Sequence, residues 1–245
     1  MPTLSNSIRL LGVALLLAVS TDAQLIPPPA IPAKPEKVDK KKQPKEDLEW
    51  LWQYSPPPEE GREHELIQDP EFRPFLERNF TAPQSFWGPE KPRKSLPDTI
   101  ESFLAIPNRV VADEERYITA TGCVFHFCPS RGLIFADLNN PHPLVVFAAI
   151  DWIRDSRPTT DPAAEYTLWI FPNHAPGTAE NPTALPPPLV RSLTRWMAEP
   201  IKRTGIHQQI THAILVDPDG TPHQIPVPTA SPADTTEAPQ LPKRH

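Results

Sequence analysis

The chain has 245 residues, 36 of them proline and only 8 glycine, with 38% hydrophobic residues and a net charge of −6. That length allows one ordinary domain with tails. So few glycines exclude glycine-rich repeats and phosphate-cradling loops, and no GxGxxG or Walker-type run occurs.

Residues 1–23 have the pattern of a signal peptide. Arg9 precedes the apolar run Leu10–Val19, and small or polar residues follow from Ser20 to Ala23. Such a run is too short to span a bilayer and fits a secretory core, with cleavage leaving Gln24 at the new N-terminus. The expected location is therefore secreted or periplasmic, with no stable membrane insertion after cleavage.

Residues 24–46 are rich in proline and lysine, a composition that favours an extended linker. Residues 24–45 hold six lysines against Glu36 and Asp39, which leaves −10 for residues 46–245. An acidic body disfavours nucleic acid and suits a basic protein partner. Residues 226–245 form a second proline-bearing tail, without periodicity, and are expected to be disordered. Between the tails one domain is expected over 47–225. It carries a glycosylation sequon in form at Asn79-Phe80-Thr81.

Within the domain, Asp47–Tyr54 reads as a short aromatic helix with Asp47 as its cap. Residues 63–80 place Leu66, Ile67, Phe72, Phe75, Leu76 and Phe80 near one helical face, and Pro70 and Pro74 are expected to break the segment into two short helices. Ser95-Leu96-Pro97-Asp98 opens another helix, through Leu104. From there the period changes to two. Strands are expected over 109–112, 117–125 and 132–138, and a hairpin from 144–152 and 166–171. Pro186-Pro187-Pro188 precedes an amphipathic helix with Leu189, Leu193, Trp196 and Met197 on one face. A last strand over 210–216 turns at Asp217-Pro218-Asp219-Gly220. Strands that follow one another directly imply an α+β fold, an antiparallel sheet with helices packed at one side.

The cysteines are Cys123 and Cys128 alone. In an exported chain a disulfide between them is the default. His126 lies between them and His142 further on, so a zinc reading exists, but no closed set of four ligands is evident and no metal is expected. The ring would be a projecting finger carrying Val124, Phe125, His126 and Phe127. Exposed, they would be anchors for a partner; buried, the phenylalanines would be core. Catalysis is not expected. Histidines 64, 126, 142, 174, 207, 212 and 223 and Ser130 are available, but no G-x-S-x-G or HExxH pattern arranges them, and no cofactor motif is present.

The run Tyr117-Ile118-Thr119-Ala120-Thr121-Gly122-Cys123, followed by x-x-His126-x-Cys128, resembles the Ivy family of periplasmic inhibitors of C-type lysozyme. The resemblance covers about residues 109–138. The tyrosine, both cysteines and the histidine match in register, whereas Val124, Phe125 and Phe127 replace the family's lysine, proline and aspartate. It implies that His126 would enter a lysozyme active-site cleft and bond the catalytic carboxylates, with Cys123 and Cys128 as its clamp. The reading that competes with it is a non-inhibitory, envelope-associated structural or interaction module.

Overall fold

The computed structural model describes residues 47–54, 62–83, 86–87, 93–138 and 142–229, the side chains of 62–64 excepted. The expected signal peptide, the linker, most of the C-terminal tail and the His64 side chain lie outside the described residues.

Three α-helices, α1 (Phe72–Asn79), α2 (Leu96–Phe103) and α3 (Pro187–Met197), accompany seven strands. The strands are β1 (Ile106–Asp113), β2 (Tyr117–Val124), β3 (Phe127–Asp137), β4 (Val145–Trp152), β5 (Glu165–Pro172), β6 (Gln209–Val216) and β7 (Pro222–Ile225). They form one sheet in sequence order. The first five are an antiparallel meander, β6 runs parallel to β5, and β7 closes the sheet as a hairpin partner of β6. The parallel pair departs from the expected all-antiparallel sheet. Because α3 lies between β5 and β6, the chain crosses over and returns to the end from which β5 started.

Local chemistry sets the helix ends. Asp47 Oδ1 accepts from the amide of Glu49 at 3.0 Å, so the first aromatic turn, Glu49–Tyr54, is capped as expected, though it is a 3-10 helix. Pro70 separates a second 3-10 turn, Arg62–Gln68, from α1. Pro74 breaks nothing. It sits in the first turn of α1, where an amide has no intrahelical acceptor to lose. Ser95 caps α2 by accepting from Asp98 N at 3.2 Å, with Pro97 in the first turn.

Both faces of the sheet are covered, which corrects the expectation of helices at one side. On one face Ile118, Ile134, Phe147 and Phe171 pack against Phe75, Phe103 and the rest of the N-terminal helices. On the other, Leu133, Phe135, Ile150 and Leu168 pack under Leu189, Leu193 and Trp196 of α3. Strands covered on both sides should read as apolar runs, and Val145–Ile150 is such a run, buried throughout. The threonines of β2 follow the same logic. Thr119 faces α3, where its hydroxyl bonds that of Ser192 at 3.1 Å. Arg195 of α3 then pairs with Asp113 at the end of β1, at 2.6 Å.

The sequon is part of this framework. Asn79 is buried, donates to Phe75 O at 3.0 Å and accepts from Asn173 Nδ2 at 2.8 Å. Its amide is committed to holding α1 against the segment after β5.

Candidate functional site

The β2–β3 hairpin ends in a two-residue tip, Phe125-His126, between the paired residues Val124 and Phe127. Below it the register jumps. Cys123 opposes Arg131, so Cys128, Pro129 and Ser130 are extra residues on β3 and form a wide bulge. Cys123 and Cys128 are joined by a disulfide across the foot of this bulge, with Cα atoms 4.9 Å apart. Two further contacts hold it. The buried Ser130 hydroxyl donates to Asp151 Oδ1 at 2.6 Å, and Gln208 Nε2 donates to the carbonyl of Pro129 at 2.7 Å.

What this base carries is divided. Val124 is buried and Phe127 is half-buried, its ring 6.3 Å from that of Trp152. These two of the four expected partner-binding residues are spent on the domain itself. Phe125 and His126 are exposed, with ring centroids 3.8 Å apart. Phe125 is 62% exposed and is the one large hydrophobic side chain exposed among the described residues. His126 has φ 62°, the left-handed region that a non-glycine residue enters at a cost of about 1 kcal/mol or more. The tip therefore offers an apolar ring and an imidazole on a backbone fixed from below.

Among the described residues, the other histidines form no cluster with it. His174, His207 and His212 are exposed at separate places, and His223 pairs with Asp217 at 2.7 Å in the β6–β7 turn. Among the described residues no group of three His, Cys, Asp or Glu side chains could hold a metal ion. The disulfide removes both thiolates that a Cys-x-x-His-x-Cys zinc site needs. Ser130, fully buried and bonded to Asp151, is a structural hydroxyl.

A second feature, beneath the bulge, was not expected from the sequence. A cavity of about 300 Å³ opens between the foot of the hairpin and the end of α3. Its lining includes both cysteines, Arg109, Arg131, Trp196 and Glu199. Arg131 is 6% exposed, and burial pushes its guanidinium down to about 10. Burial likewise raises the Asp151 carboxyl above its ordinary range, against the opposing hydrogen bond from Ser130. Among the described residues no helix is long and apolar enough to cross a membrane. No family model, no curated protein and no solved structure matches the chain.

Proposed function

We propose that the protein is an exported binding protein that engages a protein partner through Phe125 and His126, and that the partner is a basic C-type lysozyme. One observation carries the reading. The single exposed large hydrophobic side chain of the described residues stands beside an imidazole, on a hairpin tip pinned by a disulfide, a buried Ser130–Asp151 bond and Gln208. Preorganisation of this kind reduces the ordering cost of binding, and a rigid aromatic is the common form of interface anchor. The resemblance of residues 109–138 to the Ivy family supplies the partner.

The chemistry of inhibition follows from the target. A retaining glycosidase works with one protonated and one ionised carboxyl flanking the sugar bond. An imidazole placed between them occupies the path of the sugar and forms a charge-assisted bond with the ionised group. Phe125 would pack on the apolar wall of such a cleft, in place of the polar contacts that the Ivy loop makes. The −10 carried by residues 46–245 would speed encounter with a basic enzyme. No catalytic step is assigned to this chain.

The anchoring of Val124 and Phe127 favours one other reading, a structural or interaction module of the envelope in which the disulfide is only a staple. Purified protein from Gln24 onward, tested for binding and inhibition of a C-type lysozyme beside His126→Ala and Phe125→Ala, separates the two. Inhibition by the parent, reduced tenfold or more in each variant with folding unchanged, is the expected result. A parent that neither binds nor inhibits overturns the lysozyme assignment and leaves the staple.

A further inference from the structure

The cavity beneath the bulge contains a buried cation, Arg131, whose nearby acid Glu199 is paired with another arginine. Arg131 is over nine-tenths buried, and no carboxylate of the described residues lies within ion-pair distance of it. Its guanidinium stacks 5.3 Å over the ring of Trp196 and donates one long bond, 3.4 Å, to the carbonyl of Met197. The Nε is buried with no partner at all. The nearby acid is already occupied, because Glu199 is paired with Arg109 and receives Asn108 Nδ2 at 3.4 Å. Leaving a buried guanidinium under-bonded is costly unless something arrives to bond it.

The rest of the cavity says what could arrive. Ile106, Trp196, Pro200, Ile201 and the disulfide make apolar walls. The charged lining is Arg109, Arg131 and Lys202 against Glu199, two positive charges in excess within an acidic body. A volume of about 300 Å³ is at the small end of ligand pockets. We infer that the cavity between the β2–β3 bulge and the end of α3 is a binding site for a small apolar monocarboxylate, its carboxylate on Arg131 and its apolar body against Trp196 and Ile201. A planar guanidinium matches a carboxylate with two parallel bonds. A phosphate dianion fits less well, because a second deep cation is missing and Glu199 faces the same space. The inference does not depend on the lysozyme reading.

The same chemistry is offered by a free organic acid and by the C-terminus of a chain, so the test carries both. Calorimetry on the purified protein would use benzoate and hexanoate as free acids and N-acetyl-leucine as a chain-end mimic, each beside its neutral amide. Chemical shifts of the tryptophan indole NH groups would be followed in the same titrations. At least one acid should bind at a single site with millimolar or better affinity and perturb one indole, and its amide should bind tenfold or more weakly. Binding of N-acetyl-leucine alone identifies a chain end as the source, whereas binding of the free acids identifies small metabolites. Arg131→Met should lose the acid while Lys94→Ala, at an exposed cation outside the cavity lining, keeps its affinity within about twofold. No binding by any acid, or equal binding of acid and amide, overturns the inference. The acid–amide comparison is made on the parent protein, so it decides the matter even if Arg131→Met does not fold.

Discussion

The two faces of the sheet are covered by similar material and finished differently. The face under α1 and α2 is aromatic, and the buried Asp151 at its edge is bonded to Ser130. Phe75, Phe80, Phe103, Phe147 and Phe171 meet ring to ring at centroid distances of 6.0 to 6.4 Å. The face under α3 has an apolar centre but a polar end, where Arg131 Nε is buried without a partner near the buried Tyr166 hydroxyl and Gln208. A fold that needed only a core could have closed both faces alike. The difference suggests that the N-terminal helices supply stability, while the end of α3 is left under-bonded at the point where the hairpin and the cavity meet.

Substitutions of similar size on the two faces test that contrast. Phe147→Ala, at a fully buried centre contacted by three other rings, should cost about 3–5 kcal/mol in denaturant unfolding. Arg131→Met, also at a buried position, should leave the unfolding midpoint unchanged or raised, because it removes an under-bonded charge and keeps an apolar stem. A loss from Arg131→Met comparable to that from Phe147→Ala would break the comparison, since Arg131 would then be an ordinary part of the core.

Gly132→Ala comes next in size. Gly132 pairs with Gly122 across β2 and β3, and an added Cβ at 132 would lie 2.9 Å from Phe103 Cβ. The glycine pair is what lets the end of α2 lie directly on the sheet. Overpacking there should cost about 1–3 kcal/mol, read in the same unfolding experiment. Because the clash is on the aromatic face, binding at the hairpin tip should be unaffected in the protein that remains folded.

Much of this architecture was legible in the residues, for identifiable reasons. The proline-capped α3, the Ser95 cap of α2 and the apolar run of β4 each carry their signal locally, in a cap, a period or a composition. The parallel β5–β6 pair and the second helical cover did not, since both depend on where α3 docks after a long crossover. Strand β7, four residues with one apolar side chain, has too little pattern to be seen and is held by its hairpin with β6. At the tip, having only two cysteines in a chain read as exported sufficed to pair Cys123 with Cys128 but not to sort their neighbours. Phe125 and Phe127 are two residues apart and chemically identical, yet the bulge turns one onto Trp152 and leaves the other outside. Arg131 was passed over because a buried cation without a partner announces itself only once the walls around it are known.

The smallest effect tests, by pH, the buried Asp151 at the end of β4, which strand alternation places on the face opposite Arg131. Burial raises the Asp151 carboxyl above its ordinary value of 3.8, so the folded protein holds a proton there more tightly than the unfolded chain does. As pH rises from that ordinary value through the raised one, the folded state loses this advantage, and stability falls by the corresponding amount. Asp98, Asp161 and Asp219 work in the opposite sense, because hydrogen bonds lower all three and their contributions are lost as pH falls. Overall stability can therefore still decline in acid, and the informative quantity is the difference between the parent and Asp151→Asn. The asparagine keeps an oxygen to accept from Ser130 and carries no charge to bury. The variant should be more stable than the parent at neutral pH, with the gain shrinking as pH falls into the range where Asp151 is protonated. A difference that stayed constant across that range, in melting curves taken at matched pH, would mean that Asp151 is not titrating there. The Ser130–Asp151 bond would then hold the foot of the hairpin as an ordinary polar contact.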